Sequence, residues 1–264
     1  MELISVVVIC YNAETTIIQT LESIKEQTYP NIELVISDDY SKDSTVDTAK
    51  EWIEKNGERF VNILLLESKK NTGVVANCNR AINAAKGKYI QCVAGDDRLP
   101  KEALEKKHSF AKEKKVPIVL CKIKLFGRNN IKVHLMRQYF AKAYSILKMN
   151  KKEQLHKNLI SNYIPGVTFV FFEKEFFENM GGYDKRFNML EDWPFSLKLL
   201  QEDVPLLLLD EELYEYRISS TSLTGAESPL LMKDVRKLVL NKNLGLLLKN
   251  GWIQDAFTLF LKYF

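Results

Sequence analysis

Histidine is scarce. His108, His134 and His156 are the three in 264 residues, and they lack the spacing of a metal-binding set, so surface positions are expected for them. Four cysteines, Cys10, Cys78, Cys92 and Cys121, stand far apart with no CxxC pair, which points to a reduced, cytosolic chain rather than a disulfide framework. No apolar run reaches about 18 residues, so no membrane-spanning helix is expected. The opening MELISVVVICYN has neither a basic leader nor a small-residue cleavage site and reads as a strand, not a secretion signal. A net charge of +4 is too small to indicate nucleic acid, and no such partner is expected. No glycine follows the first apolar run in CYNAETT, which argues against a triphosphate-cradling loop. The absence of GxGxxG argues against a dinucleotide site. Internal repeats and low-complexity segments are missing too.

What is present is core. Hydrophobic residues make up 46% and charged residues 27%, enough for a substantial folded interior and against disorder. Ile4 to Cys10 is a β-branched run of the kind buried on both faces of a parallel sheet. A helix follows from about Thr15, with Ile17, Leu21 and Ile24 at helical spacing. Strands are then expected at IELVIS, VNILLLE, GKYIQCVA and PIVLCKIKLF. Helices are expected at Ser44 to Lys55, Val74 to Ala85 and Lys101 to Lys115, the last with a solvated, Lys-rich face. Alternating strands and helices predict βαβ units in a doubly wound, mainly parallel sheet with helices on both faces. After Gly127 the pattern weakens: a basic, mildly amphipathic stretch over 128–160, a strand at VTFVFF, a GGY turn and a short helix from Trp193 to Leu200. Two strands, PLLLL and LYEYRI, then precede a helical tail interrupted at Asn250-Gly251.

Ligands of open α/β sheets bind beyond the carboxyl ends of the strands. At those ends lie Cys10-Tyr11-Asn12, Ser37-Asp38-Asp39 and Asp96-Asp97, so polar residues distant in sequence fall on one sheet edge. Adjacent carboxylates resist joint ionisation, so a positive partner is expected near Asp96 and Asp97, unless the pair is a solvated turn ahead of Pro100. An Mg²⁺ or Mn²⁺ site needs only one or two carboxylates, the remaining positions going to water and substrate phosphate. Small Ala94 and Gly95 leave room for a ligand. Asp38-Asp39 reads either as turn and N-cap chemistry or as an acceptor for a base or ribose, with Ser41, Asp43 or Ser44 capping the next helix. Glu191-Asp192 suits the first turn of a helix, and equally a general base.

The ordered segments SVVVICYNAE, QTYPNIELVISDDYSKDST, NTGVVANCNRAINAAKGKYIQCVAGDD and MGGYDKRFNMLEDWPFSLKLL resemble the family-two inverting glycosyltransferases of the GT-A fold. The resemblance is close over residues 3–98 and looser over 164–223. It implies a GT-A domain over 1–224, with a nucleotide-binding half at 1–100 and an acceptor half at 101–224, followed by a helical tail at 225–264. It further implies that Tyr11 and Asp39 hold the nucleotide base and that Asn71 and Gly73 border its pocket. Asp97 is the implied direct ligand of Mn²⁺ or Mg²⁺, with Asp96 nearer the ribose, and Arg217 approaches the donor phosphates from the segment YRISSTSLT. Asp192 takes the position of the catalytic base, with Glu191 and Trp193 beside the donor sugar and acceptor. Three departures stand out: Ile9-Cys10 where the family has Pro-Thr, DDYS where it has DDGS, and Cys78 where an arginine precedes the asparagine.

The function so implied is metal-dependent, inverting transfer of a hexose from a UDP-sugar to a hydroxyl of a saccharide or lipid-linked saccharide, in surface polysaccharide synthesis. An inactive nucleotide-sugar-binding or scaffold protein on the same fold is the alternative. The expected location is cytoplasmic, at the inner face of the membrane if the tail docks there. The tail from Leu230 mixes leucines and aromatics with Lys233, Arg236, Lys237, Lys242, Lys249 and Lys262, which suits an interfacial helix. Packing on its own domain, or on a second copy in a homodimer, is the other fate of such a segment.

Overall fold

The strand Ile4–Cys10 (β1) lies at the heart of the computed structural model, which describes residues 1–127, 130–164, 170–218 and 228–264. Its residues alternate between faces. Ile4, Val6, Val8 and Cys10 enter one hydrophobic cluster and Val7 the other, as a period of two dictates for a strand covered on both sides. Beside it run β2 (Ile32–Asp38), β3 (Asn62–Glu67) and β4 (Tyr89–Ala94), all parallel. The crossovers are α1 (Ile17–Lys25), α2 (Thr45–Asn56) and α3 (Val74–Ala84). Beyond β4 come α4 (Ala103–Lys114), β5 (Ile118–Gly127), α5 (Asn130–Leu147), α6 (Lys151–Ile160), β6 (Phe171–Glu173), α7 (Lys174–Asn179), α8 (Asp192–Gln201) and β7 (Leu207–Ile218). The seven-stranded sheet has the order β3-β2-β1-β4-β6-β5-β7, and only β6 among these strands runs antiparallel to its neighbours. The doubly wound, mainly parallel sheet is therefore present.

Several expectations change in detail. The two strands expected near the C-terminal part of the sheet are one, β7. Its register against β5 shifts at Cys121/Lys122 and Lys122/Ile123, so Asp210, Glu211 and Leu213 are accommodated as extra residues rather than a break. The expected strand VTFVFF survives as β6 at its end, its residues 167–169 lying outside those described. Helix α4 is not solvated throughout: Lys107 is fully buried, and its ammonium donates to Gln91 Oε1 at 2.7 Å. Of the histidines, His134 is exposed, whereas His108 packs between Tyr29 and Tyr89 and His156 stacks on Trp252. All four cysteines are free and buried.

The tail begins with α9 (Pro229–Leu238), capped by Ser228, and passes through a π-helical turn at Val239–Asn243 into α10 (Leu244–Lys249). Gly251, at φ +77°, ends that helix, and α11 (Ile253–Tyr263) follows. Val235, Leu238, Val239, Leu247, Ala256 and Leu259 join the hydrophobic cluster that also holds residues of α3, β4 and α8. This half of the core is thus built by the sheet and the tail together.

Candidate active site

The β4 exit answers the problem of the adjacent carboxylates. Asp97 has no exposed surface, and both its oxygens are occupied: Oδ1 accepts from the Arg217 backbone N–H at 2.8 Å and Oδ2 from the Tyr214 hydroxyl at 2.8 Å. Thr20 of α1 holds the Asp97 carbonyl at 2.8 Å. Burial, then the neighbouring Asp96, push the Asp97 carboxyl well above the ordinary carboxylate range, against the pull of these donors. Asp96 is partly exposed and also raised, chiefly by burial. The expected positive partner is Arg217. Its Nε donates to the Asp96 carbonyl at 2.7 Å and its Nη2 to Gln19 Oε1 at 2.7 Å. Arg217 and Arg98 both lie over the Phe126 ring, at 4.5 and 4.0 Å from its centroid, so two guanidiniums flank the acidic turn. Gly95 serves packing more than ligand approach, because a Cβ there would stand 2.9 Å from Cys10 Cβ.

Asp39 is buried, and its carboxylate ties down the turn after β3. It accepts from the backbone N–H groups of Thr72 at 2.9 Å and Gly73 at 2.8 Å, and from the Thr72 hydroxyl at 2.5 Å. Arg80 closes the arrangement from α3, reaching Asp39 Oδ1 at 3.3 Å, the Asp38 carbonyl at 3.2 Å and Asn77 Oδ1 at 2.7 Å. Sequence reasoning passed over Arg80. Its signal was a lone cation in the apolar helix VVANCNRAINA. Asp38 binds back to Ser41, and Asp43 accepts from Thr45, so the second acid of the pair holds the site's turn and the first holds its own loop. Tyr11 is half-exposed and Asn71 exposed at the same edge.

Gly73 joins the two halves. At φ +86° it begins α3, and a Cβ on it would lie 2.6 Å from the carbonyl oxygen of Asn188. That carbonyl accepts from Val75 N–H at 3.1 Å. On its other side the loop is held by the tail: buried Asp234 accepts from the N–H groups of Asn188 at 2.7 Å and Met189 at 2.8 Å. The loop ends at Glu191 and Asp192. Glu191 is buried, and its charge adds to burial in raising the thiols of Cys78 and Cys92. Trp193 is buried too, its indole N–H donating to the Asn158 carbonyl at 2.5 Å.

Asp192, first residue of α8, has Oδ1 on the Trp193 N–H at 2.6 Å and Oδ2 on Asn162 Nδ2 at 2.8 Å. Burial raises its carboxyl, and these two donors moderate the rise. Asn162 was not legible in the sequence as a site residue. Its Oδ1 is buried without a hydrogen-bond partner, and its carbonyl accepts from Tyr139 at 2.5 Å. The arrangement is that of a carboxylate kept more basic than in water and oriented by two donors, as proton abstraction requires. Among the described residues no three His, Cys, Asp or Glu side chains group as a metal cage. An ion held by one or two carboxylates is completed by water and substrate oxygens.

The sheet order, with its acidic turn after the fourth strand, is that of a GT-A glycosyltransferase fold, and a family model for glycosyl transferase family 2 matches residues 5–181, so the chain belongs to that family. Among curated relatives it is similar to the uncharacterized glycosyltransferase EpsJ of Bacillus subtilis, 27% identical over 84% of this chain and 63% of that protein. It is also similar to the UDP-Glc:alpha-D-GlcNAc-diphosphoundecaprenol beta-1,3-glucosyltransferase WfaP of Escherichia coli, 34% identical over 44% of each chain. The chain thus spans under two thirds of these relatives' lengths. Among solved structures, S. aureus TarS 1–349 in complex with UDP-GlcNAc matches at a TM-score of 0.68 and 18% identity, over 92% of this chain and 66% of that one. Mannosyltransferase PcManGT from Pyrobaculum calidifontis, in complex with GDP-Man and Mn²⁺, matches at 0.67 and 18%, over 97% and 73%. These two likenesses concern the fold.

Proposed function

We propose that this chain transfers a hexosyl group from a UDP-sugar to a hydroxyl of a saccharide acceptor, with inversion at the anomeric carbon, in the assembly of a bacterial surface polysaccharide. One observation carries the reading. The turn that Asp39 holds touches, through Gly73 and Val75, the loop that delivers Asp192, so a nucleotide edge and a basic carboxylate form one continuous unit. The nucleotide lies along the ends of β1, β2 and β4, with its base by Tyr11, Asp39 and Asn71 and its diphosphate toward Arg217 and Arg98. The activity named for WfaP and the UDP-GlcNAc complex of TarS support a UDP-sugar donor and, from WfaP, a lipid-linked saccharide acceptor.

Asp192 takes the proton of the acceptor hydroxyl as its oxygen attacks the anomeric carbon, and the nucleoside diphosphate leaves from the opposite face. One displacement inverts configuration without a covalent intermediate on the protein. Asn162 and the Trp193 N–H keep Asp192 ionised and aimed. Asp97 was the expected metal ligand, but its oxygens are closed in by Tyr214 and Arg217. Asp96, the more exposed of the two, is the residue that would hold Mn²⁺ or Mg²⁺, with Asp97 fixing the turn beneath it. Bound there, a divalent cation would supply electrostatic stabilisation for the departing diphosphate. Residues 1–100 form the donor half and 101–224 the acceptor half. The tail at 225–264 supports the catalytic loop through Asp234 and, in a cytoplasmic protein, faces the membrane or a second copy. None of the helices in the described residues is long and apolar enough to cross a membrane.

The test is a panel of nucleotide sugars with Mn²⁺ or EDTA, following thermal shift and nucleotide release. A UDP-sugar should raise Tm in Mn²⁺, and wild type should release UDP where Asp192→Asn does not. Equal nucleotide release by that variant would remove the assignment of the base. No response to any nucleotide sugar would favour a binding or scaffold role for another ligand.

A further inference from the structure

Helix α11 is anchored on one side and bare on another. Its anchored side is Ala256 and Leu259, both buried, extended by Trp252 stacked on His156 at 4.1 Å and by Asp255 paired with the same histidine at 2.9 Å. The helix cannot turn without breaking these contacts, so its rotation is set. On the free side stand Ile253, Phe257, Phe260, Leu261 and Phe264, exposed by 66%, 64%, 44%, 64% and 52%. At about 100° per residue these five side chains fall within an arc roughly 100° wide, with no polar residue among them. Gln254, Thr258 and Lys262 occupy the next sector. Isolated exposed apolar side chains are ordinary, but a contiguous aliphatic and aromatic stripe marks an interaction surface.

Charge in the same segment identifies the occupant. From Ser228 to Phe264 there are six basic residues against two acids. Asp234 faces the backbone of the catalytic loop and Asp255 faces His156, and the six basic residues leave the segment with a net positive charge. Arg236 lies at the C-terminal end of the stripe, donating to the Tyr263 carbonyl at 2.9 Å, and Lys262 adjoins it in sequence. A two-fold dimer through this face would set positive rim against positive rim. A bilayer with anionic headgroups accepts both the stripe and its charge.

We propose that α11 is a monotopic anchor that lays Ile253, Phe257, Phe260, Leu261 and Phe264 into the interface of an anionic lipid bilayer. The proposal rests on the tail alone and stands or falls independently of the transferase reading. The experiment is flotation of the full chain with phosphatidylcholine vesicles, with or without about one third phosphatidylglycerol. It compares wild type with the double variant Phe257→Ser/Leu261→Ser, and measures Tm and light-scattering mass for both. Wild type should float with anionic vesicles at least about tenfold better than with neutral ones, and high salt should weaken it. The double variant should stay at the bottom with an unchanged Tm, because both positions are solvent-facing. A separate Phe257→Trp variant should shift its emission to the blue on anionic vesicles only. Absence of flotation, or no blue shift, overturns the proposal. So does a concentration-dependent dimer that the double variant abolishes, which would assign the stripe to a second copy.

Discussion

Replacing Asn162 by alanine removes one donor from Asp192, the carboxylate proposed to take the acceptor proton, and nothing else in direct contact with it. Asn162 Nδ2 lies 2.8 Å from Asp192 Oδ2, while the main chain of Asn162 stays held through its carbonyl by Tyr139. A hydrogen bond to an ionised group contributes about 1.5–3 kcal/mol. That corresponds to roughly 10- to 150-fold at about 1.36 kcal/mol per tenfold. The sign follows from the balance at Asp192: burial raises its pKa and the Asn162 amide opposes the rise, so losing the amide raises it further. The acid limb of kcat/KM against pH should therefore move to higher pH. On that limb the variant should fall below wild type by up to the stated factor, and at high pH, where Asp192 ionises in both, it should return close to wild type. UDP affinity should not change. Asn162→Asp should move the limb the same way and further, because two adjacent carboxylates resist joint ionisation. The assay is initial-rate transfer across pH with subsaturating acceptor. An unmoved limb, or a loss equal at every pH, would refute the role given to Asn162 and weaken that of Asp192.

Three other perturbations follow from the same geometry. Gly73→Ala meets both a positive φ and the Asn188 carbonyl, so it should lower kcat through the Asp192 loop and reduce Tm; a fully active variant with wild-type Tm would show that the contact is unimportant. Asp234→Ala leaves two N–H groups of that loop without their acceptor, at about 1–3 kcal/mol each where buried, and should lower kcat and Tm while sparing UDP binding in calorimetry. Asp97→Asn turns one of two buried acceptors into a donor facing Tyr214 or Arg217, so it should lower Tm and, by loosening the turn beneath Asp96, weaken nucleotide binding. The raised Asp97 pKa means that its contribution to stability is present below the ordinary carboxylate pKa and lost as pH rises through the folded value, so the Tm of the variant relative to wild type should improve as pH rises above the ordinary carboxylate range. A variant whose Tm falls further below wild type as the pH rises would reverse the argument.

The first four strands and the edge they share were legible because a parallel sheet buried on both faces writes continuous β-branched runs, and its ligand edge then follows from where those runs stop. Less was legible where a side chain's role depends on a distant partner. Asp97 reads as an available ligand until Tyr214 and Arg217 arrive from β7 to occupy it. Lys107 reads as one more lysine on a charged helix until Gln91 of β4 takes its ammonium inside the fold. Trp193, expected beside the donor sugar and acceptor, is buried, with its indole N–H on the Asn158 carbonyl. Asn162 carried no motif at all, since its importance comes from a contact 30 residues along the chain. The tail was correctly divided at Asn250-Gly251, yet which face of α11 is bare depends on His156 and the core beneath it.

The central claim is that a nucleotide diphosphate binds at the strand ends together with a divalent cation held by Asp96. Calorimetric titration of UDP into wild type, Asp96→Ala and Asp192→Asn, each in Mn²⁺ and in EDTA, tests it most directly. The account predicts tight binding for wild type and Asp192→Asn in Mn²⁺ only, with Asp96→Ala in Mn²⁺ reduced to the level of wild type in EDTA. UDP affinity that is equal with and without the metal, or unaffected by Asp96→Ala, would contradict it.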